Sequence, residues 1–405
     1  MDKKKYILYI GNFSFPFGNA SGKRVYANGK ILKDLGYEVI FIGMNKKVRS
    51  SELLKNTQRE YDGFTYYNLP YPKRNIDWIK YNKIFKKVIN ILNTEQIKDK
   101  LQLVIFYGSP TISLFNMKLI RYCKINNIKI LSDCVDWLTV RTNNLIFNIV
   151  KWTDNTYQKA YVNKKADGII TISSYLSKYY KKNGCKTIII PPLSAIDYSI
   201  FSLEPIYHDK KILTYAGLPF RKGQQVKDLR TLKDRIDLTI KLLYEVKKEG
   251  CKFVFNIYGF TKEDYMLAIP EQKLYVEKLE ENIIFHGMKP NEEVISSIIN
   301  SDFTVLIRDV NKDTSAGFPT KASESISCGT PVITTNTSDL DKYIVEGENG
   351  FFLNFDENIA RKQLVNILAK TNEEVLLMKK HCIENNPFLY LKYKNILEEF
   401  LNNIL

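Results

Sequence analysis

The residues best suited to chemistry lie in one stretch near the end of the chain, from Asp313 to Ile333. An apolar, strand-like run ends at Ile307, a loop with Gly and Pro follows, and a helical pattern begins near Thr320. Backbone N–H groups and the positive dipole end at a helix start form a pocket for a phosphate. Lys321 adds a point charge, and Glu324 lies one turn further along, where a carboxylate can accept two ribose hydroxyls. Any α/β unit can carry such a loop, so the stretch alone does not decide the chemistry.

Glycine and lysine also follow other apolar runs, where glycine lets a ligand approach the backbone because it has no Cβ. The positions are Lys222-Gly223, Gly259 and Gly287-Met288 in the second half, and the Gly-rich loop from Gly11 to Arg24 in the first. An ordinary strand-to-loop glycine or a solvated loop lysine has the same local sequence, so each segment by itself is weak evidence for a site.

Two carboxylates, Asp133 and Asp136, follow the apolar run Ile128–Leu131. At the rim of a cleft, a carboxylate can orient or deprotonate the hydroxyl of an acceptor. The alternative is that both residues cap the helix that follows. The only Asp-x-Asp, Asp339-Leu340-Asp341, lies beyond the phosphate loop, and we interpret it as a turn or helix start rather than a metal site.

Strand-like and helical patterns alternate along the first half of the 405 residues. Strands are predicted at Tyr6–Ile10, Glu38–Ile42, Leu103–Phe106, Ile128–Leu131, Gly168–Ile172 and Thr187–Ile190. Helices are predicted at Arg24–Leu35, Asn82–Leu92, Ser113–Asn126 and Tyr175–Lys182. Short apolar strands that alternate with amphipathic helices predict a parallel sheet covered on both faces, the doubly wound α/β class.

The pattern then restarts, so the chain is predicted to hold two domains. Strands are expected at Lys211–Tyr215, Lys252–Tyr258, Asn282–Phe285, Phe303–Ile307 and Pro331–Thr334. Helices are expected at Ile236–Lys248, Asn291–Ser301, Thr320–Cys328 and Ile359–Lys370. The segment from Pro191 to Pro205 lacks periodicity and reads as a linker. We predict domains over residues 1–195 and 206–387, with a final helix within 388–405 packing back on the first.

Charge divides sharply between the two halves. Residues 1–200 carry 33 Lys and Arg against 14 Asp and Glu, a net charge of +19, whereas residues 201–405 carry 27 against 30, a net charge of −3. This asymmetry indicates that one domain meets an anionic surface or substrate. The alternative is a lysine-rich surface from a biased genome, but such a bias is expected in both halves.

Several classes of protein are disfavoured by composition. The six cysteines are scattered without a CxxC, which is typical of reduced core residues, and none of the three histidines (His208, His286 and His381) lies in the first half. No apolar run approaches a membrane span, and the N-terminus does not resemble a signal peptide. We therefore expect a cytoplasmic protein. No nucleic-acid-binding motif is visible, so we do not expect a nucleic-acid partner.

The stretch Ser315-Ala316-Gly317-Phe318-Pro319-Thr320-Lys321 to Gly329-Thr330-Pro331-Val332-Ile333 resembles the donor-site signature of glycosyltransferase family 4. That family has the GT-B fold, two Rossmann-like domains facing across a cleft, and retains anomeric configuration. Glu324 matches the glutamate that holds the nucleotide ribose, whereas Ala316 stands where the family carries a sugar-contacting glutamate. The variant resembles one found in capsule and cell-wall polysaccharide transferases.

The resemblance extends to other segments. Lys222 matches the lysine that neutralises the diphosphate leaving group; Leu218 stands in place of an accompanying arginine, for which Arg221 could substitute. Asp136, before Trp137, occupies a place where the family often carries an acceptor-domain histidine. The implied catalytic residues are Asp136, Lys222 and Glu324, and the implied acceptor residues are Asp133 and Asp136. The implied donor-binding residues are Gly18, Ser21, Gly22, Arg24, Arg221, Lys222, Gly259, Met288, Ser315, Gly317, Phe318, Pro319, Thr320, Lys321 and Glu324.

The resemblance implies transfer of a sugar from a nucleotide-diphosphate donor, with a UDP-sugar expected and no metal or other cofactor required. The acceptor is expected to be a lipid-linked oligosaccharide or a surface-polysaccharide precursor. Two alternatives remain open: a transferase acting on a protein or a small molecule, and a non-catalytic GT-B-like subunit that supports a partner enzyme.

Two basic segments with interspersed aromatic residues predict peripheral contact with an anionic membrane at its inner face. The first, Lys73–Lys100, includes Arg74, Trp78, Lys80, Tyr81, Lys83, Phe85, Lys86 and Lys87. The second runs from Arg141 to Lys165 and includes Phe147, Trp152 and Tyr157. Amphipathic helices that cover a sheet have a similar composition, so the sequence leaves both interpretations open.

Overall fold

A computed structural model describes residues 5–16, 19–72, 77, 80–94, 97–107, 112–137, 145–195 and 209–405. The chain forms two compact units, one of Met1–Ala195 with Leu389–Leu405 and one of Ile196–Phe388. Each unit is built on one largely parallel sheet, which confirms the doubly wound α/β class. No helix in these described ranges is both long enough and apolar enough to span a bilayer.

The first unit has an eight-stranded sheet in the order β3-β4-β2-β1-β5-β6-β7-β8. Its strands are β1 (Lys5–Gly11), β2 (Tyr37–Asn45), β3 (Arg59–Tyr61), β4 (Phe64–Pro70), β5 (Leu101–Tyr107), β6 (Lys129–Cys134), β7 (Gly168–Thr171) and β8 (Thr187–Ile189). All neighbouring pairs are parallel except β3 with β4. Strand order reverses between β1 and β5, and ligands of such sheets bind at the carboxyl ends next to that reversal.

The helices of the first unit are α1 (Ala20–Asp34), α2 (Phe85–Thr94), α3 (Ser113–Ile125), α4 (Leu145–Tyr157), α5 (Ser174–Lys181) and the C-terminal α14 (Lys394–Asn402). Helix α1 begins four residues earlier than predicted because the Asn19 side chain accepts a hydrogen bond from the Gly22 N–H and caps it. Helix α14 packs closely on β7, where a Cβ on Gly168 would lie 2.8 Å from the Phe400 ring.

Strands β3 and β4 were not predicted from the sequence. They are joined at Asp62 and Gly63, both of which have positive φ (50° and 68°). An Asp-Gly pair in this conformation is a strong local signal for a two-residue hairpin. Strand β4 then pairs in parallel with β2 and buries Tyr67 and Leu69 in the core of this unit.

The second unit has a six-stranded parallel sheet in the order β11-β10-β9-β12-β13-β14. Its strands are β9 (Lys211–Ala216), β10 (Phe253–Tyr258), β11 (Ile283–Gly287), β12 (Phe303–Leu306), β13 (Val332–Thr334) and β14 (Gly350–Phe352). Its helices are α6 (Ile236–Lys248), α7 (Lys262–Ala268), α8 (Lys273–Lys278), α9 (Asn291–Ile299), α10 (Lys312–Ala316), α11 (Thr320–Ser327), α12 (Glu357–Leu368) and α13 (Asn372–Glu384). Strand order reverses between β9 and β12, which places a site at their carboxyl ends.

A buried ion pair links α1 to β6 in the first unit. The Asp133 carboxylate accepts hydrogen bonds from Arg24 Nε at 3.0–3.1 Å and Arg24 Nη2 at 2.8 Å, and from the Tyr9 hydroxyl. Arg24 Nη1 donates to the carbonyls of Ile190 and Pro191 at 2.8 and 3.1 Å. Burial opposes the charge on Arg24, but Asp133 outweighs it and raises the guanidinium pKa.

This ion pair corrects two predictions. Asp133 has no exposed surface and Arg24 is 4% exposed, so neither side chain can meet a ligand without disrupting the core. The expected acceptor role of Asp133 and the expected donor-binding role of Arg24 are therefore wrong. Both residues instead fix the position of α1 against the carboxyl end of the sheet.

Replacing Asp133 by Asn is expected to destabilise the first unit. The substitution keeps the shape of the side chain but leaves the Arg24 charge buried without a counterion, which typically costs about 3–5 kcal/mol. Urea unfolding followed by circular dichroism measures the loss. Asp136→Asn, at a half-buried position two residues after β6, is the matched control, and equal unfolding midpoints for the two variants would contradict this account.

Candidate active site

Three glycines line the carboxyl ends of adjacent strands in the second unit. The Gly217 N–H donates to the Tyr258 carbonyl at 2.9 Å, and the Gly259 N–H donates to the Gly287 carbonyl at 2.7 Å. A Cβ on Gly259 would lie 2.2 Å from the Gly217 carbonyl oxygen, and Gly259 has a φ of 117°. Among the amino acids, only glycine accommodates both this positive φ and this close approach of the backbone. The result is a floor of closely packed backbone at the ends of β9, β10 and β11, in which Gly217 and Gly259 are partly exposed and Gly287 is buried.

Lys321 reaches this floor from the first turn of α11. A Cβ on Gly217 would lie 2.3 Å from Lys321 Cε and 2.7 Å from its Nζ, so the absence of a side chain on Gly217 makes room for the lysine. The Lys321 side chain keeps 28% of its surface exposed, and its Nζ lies 2.6 Å from Asp234 Oδ2. The structure thus brings the predicted lysine to the reversal point of the sheet.

Asp234 is the centre of a buried polar cluster that the sequence did not predict. Its Oδ1 accepts from Arg308 at 2.7 Å, and its Oδ2 accepts from Lys321 and from the Tyr215 hydroxyl at 2.9 Å. Burial opposes ionisation of this carboxylate, but Lys321 and Arg308 outweigh it and hold the Asp234 pKa well below its usual range. In this Asp234 cluster two cations share one carboxylate, whereas the neighbouring Arg235 is paired with two carboxylates, Asp237 and Asp309.

The sequence signal for this cluster was weak. Arg308 follows the end of β12 by two residues, and Asp234 precedes the start of α6 by two residues, so both stand next to elements that meet at the reversal point. Their partnership across 74 residues follows only from the fold. An arginine next to an apolar strand was the one available hint.

Lys222 lies in the loop after β9, near the same strand ends. Its Nζ pairs with Asp264 Oδ2 at 2.8 Å, and its side chain is 42% exposed. Asp264 also accepts from the Thr261 N–H in the capping box of α7, so this carboxylate is held in place. An exposed ion pair of this kind is weak and screened by salt, so an incoming anion can compete for the lysine. Arg221 is exposed beside it.

The first turn of α11 presents backbone donors near Lys321. Pro319 occupies the N-cap position without a side-chain cap, and the Ala322 N–H returns to the Pro319 carbonyl at 2.9 Å. Glu324 is half-buried three residues after Lys321, a spacing that places the two on one face of the helix. Ser315 and Thr320 are also half-buried, and the Gly317 carbonyl accepts from Ser338 Oγ at 2.6 Å.

The side chain of Phe318 does not reach a ligand site. It is buried against Tyr343 and Phe388, with ring centres 5.5 and 5.8 Å apart. The prediction that Phe318 binds the donor is therefore wrong for its side chain, which fixes the loop before α11 instead. Ala316, where the resembled family carries a glutamate, has no exposed surface at the end of α10. Met288, by contrast, is exposed directly after β11.

In the first unit, the predicted residues around the start of α1 have structural partners. Ser21 Oγ donates to the Asn19 side chain at 2.7 Å, and a Cβ on Gly22 would lie 2.1 Å from the Ser14 carbonyl. Gly22 therefore lets the loop pack directly on α1. Gly18 lies outside the described residues. Asp136 is half-buried, and the next residue, Trp137, packs edge-on against Tyr179 with ring centres 4.7 Å apart.

A separate cavity of about 320 Å³ lies at the carboxyl ends of β12–β14, between α6 and α12. Its wall includes Ile307, Asp309, Thr335 and Phe355. It contains none of the residues predicted from the sequence. The Asp234 cluster, rather than this cavity, therefore marks the candidate active site.

Known proteins were compared with this chain both by sequence and by structure. Residues 225–386 match the sequence model of the family described as Glycosyl transferases group 1, and no curated protein sequence matches the chain. Sucrose-phosphate synthase from Thermosynechococcus elongatus superposes with a TM-score of 0.68 at 15% identity, over 99% of each chain. The catalytic domain of starch synthase IV from Arabidopsis thaliana, bound to ADP and acarbose, gives 0.67 at 12% identity over 99% of each. Anabaena Alr3699/HepE in complex with UDP gives 0.59 at 12%, over 98% of this chain and 100% of the other.

Together, the fold and the family match over residues 225–386 indicate a glycosyltransferase with the GT-B fold. The match to the glycosyl transferases group 1 family lies within the second unit and includes Asp234, Arg308, Lys321 and Glu324. It begins after the Lys222 loop, whose place at the site follows from the structure.

Substitution of Gly217 by Ala tests whether Lys321 belongs to the donor site. The new Cβ would lie 2.3 Å from Lys321 Cε and 2.9 Å from the Tyr215 hydroxyl, and it would meet no backbone atom as closely, so we expect a folded protein in which mainly the flexible end of Lys321 is displaced. Binding of a nucleoside diphosphate, measured by calorimetry, should weaken about tenfold, as for loss of one charge-assisted hydrogen bond.

Lys321→Ala provides the matched comparison. If Gly217→Ala acts through Lys321, the double variant should bind no more weakly than Lys321→Ala alone, because the two changes remove the same interaction. Fully additive losses would contradict this assignment.

Proposed function

We propose that the protein transfers a sugar from a UDP-sugar to a lipid-linked oligosaccharide or a surface-polysaccharide precursor, with retention of anomeric configuration. The observation that carries the proposal is the partly exposed Lys321 of the Asp234 cluster, which lies beside the backbone of Gly217 and Gly259. A diphosphate fits this combination because its charge meets Lys321, while the small size of Gly217 and Gly259 leaves room beside the lysine.

In this proposal the donor domain acts mainly on the leaving group. Lys222, Arg221, Lys321 and the amides at the start of α11 stabilise the charge that develops on the departing diphosphate. These groups supply positive charge from the protein itself, so the proposed step needs no metal ion. Glu324 accepts hydrogen bonds from the ribose hydroxyls. Asp136 of the first unit orients or deprotonates the acceptor hydroxyl.

The choice of UDP rests on resemblance and on one related structure. The complex of Anabaena Alr3699/HepE contains UDP, whereas that of starch synthase IV contains ADP. Sugar selection is expected to differ from that of family 4 transferases, because buried Ala316 offers no carboxylate to the sugar. Capsule and cell-wall transferases carry a similar loop, which motivates the proposed polymer precursor.

The proposed place of action is the inner face of an anionic membrane. The net charge of +19 in residues 1–200 favours approach to anionic lipid headgroups, where a lipid-linked acceptor resides. The non-catalytic alternative is motivated by Ala316 and Leu218, which stand in place of two charged residues of the resembled family. A donor screen separates the two: hydrolysis or thermal stabilisation by UDP-, GDP- or dTDP-sugars supports an enzyme, and no response to any nucleotide overturns this proposal.

Lys222→Ala should lower kcat/KM for the donor by about 100-fold or more, a typical effect of removing one preorganised charge from a transition state. Lys227→Ala, an exposed lysine in the same loop region, is the matched control and should leave the rate unchanged. Equal rates for the two variants would show that Lys222 does not act on the leaving group.

A further inference from the structure

Helix α4 carries an apolar stripe that faces solvent. The helix continues as one π-helical turn, Gln158–Val162, and its exposed residues recur at intervals of three and four, which places them on one face. Ile149 is 62% exposed and Trp152 is 66% exposed, although both are large apolar side chains. We call this face the α4 stripe; it comprises Ile149, Val150, Trp152, Thr153, Thr156, Tyr157, Ala160 and Tyr161.

The opposite face of the same helix is polar and buried. Asn155 and Gln158 lie in the interior, where the Gln158 amide accepts from Asn116 at 3.0 Å and donates to Asn163 at 2.6 Å. Asp154 accepts a hydrogen bond from Ser113. Surface helices of soluble proteins normally show the reverse arrangement, with apolar residues inward and polar residues outward. Hydrogen bonds therefore anchor α4, and its apolar side chains remain available to a partner.

Aromatic rings and lysines continue the stripe at its end. The rings of Tyr157 and Tyr161 stack with centres 5.3 Å apart, and Lys165 Nζ lies 4.9 Å from the centre of the Tyr161 ring. Lys159 Nζ lies 4.6 Å from the centre of the Trp137 ring. Tryptophan and tyrosine beside lysine form the composition that is enriched at the membrane–water interface.

We propose that the α4 stripe inserts into the headgroup layer of a membrane that contains anionic lipids and docks the protein there. The proposal rests on the proposed function, since it specifies how the first unit would reach a lipid-linked acceptor. The other predicted basic segment contributes nothing to this argument, because residues 73–76 and 78–79 lie outside the described ranges.

Charge distinguishes a membrane from a second copy of the chain as the partner. Two copies meeting through the α4 stripe would bring the same lysines, Lys159 and Lys165, against each other in units of high positive charge. An anionic bilayer instead attracts those lysines while it accepts the isoleucine and the aromatic rings. The apolar side chains and the surrounding charge therefore favour the same partner.

The test is flotation of the full-length protein with two kinds of vesicle, one of phosphatidylcholine and one of equal parts phosphatidylcholine and phosphatidylglycerol. The wild-type protein should float with the anionic vesicles only. The double variant Ile149→Ser, Trp152→Ser should bind them at least about tenfold more weakly, because it removes the two most exposed apolar side chains of the stripe. Both positions are exposed, so the fold should be retained, and thermal unfolding checks this.

The matched control replaces two equally exposed leucines of the second unit, Leu274→Ser and Leu377→Ser, which are 56% and 65% exposed. This control should float like the wild-type protein. The proposal is overturned if the stripe variant binds as tightly as the control, if the wild-type protein binds neither vesicle, or if the stripe variant only dissociates a wild-type dimer in solution.

Nucleotide binding and sugar transfer are measured on the same samples to separate the two proposals. Vesicle binding without any response to nucleotides keeps the docking surface and overturns the proposed function. Transfer to a water-soluble acceptor by a protein that ignores vesicles keeps the transferase and overturns the docking surface.

Discussion

The second unit depends on one buried carboxylate, that of Asp234. This side chain joins the end of β9 through Tyr215, the end of β12 through Arg308 and the start of α11 through Lys321. These elements meet where the strand order reverses, the point at which helices leave the sheet towards opposite faces. Without the carboxylate, two cations would be left close together in a buried site. With it, they are held in place, and the partly exposed Lys321 remains able to meet a phosphate ligand.

The first unit contains a similar buried ion pair, but the pair has a different role. Asp133 and Arg24 also tie a helix start to strand ends, but their charges balance and both are buried. Because the two charges neutralise each other and both side chains are buried, the pair offers no free charge to an anion, and its role is structural. Similar residues, at similar places in two doubly wound sheets, therefore form a fully buried pair in the first unit and a cluster with a partly exposed lysine in the second.

The sequence predicted much of this structure because its signals are local. Alternating apolar strands and amphipathic helices identified both sheets, and the Gly/Pro loop before Thr320 located the start of α11. Prediction from the sequence failed where the role of a residue depends on a partner far away along the chain. Asp133 looked like a rim carboxylate because Arg24, 109 residues away, could not be placed beside it. Asp234 and Arg308 were missed for the same reason. The prediction for Phe318 follows from the resemblance of its loop to a donor site, and the sequence does not show that the side chain packs on Tyr343 and Phe388.

Hydrogen exchange on the intact protein, with and without UDP, tests the central claim most directly, because it reports which backbone amides a nucleotide protects. A donor site at the Asp234 cluster predicts that UDP slows exchange in two separate segments, Gly217–Gly223 and Ser315–Glu324. Only the fold brings these segments together. Protection confined to the cavity between α6 and α12, or binding of UDP without protection in either segment, would contradict the assignment of the Asp234 cluster as the donor site.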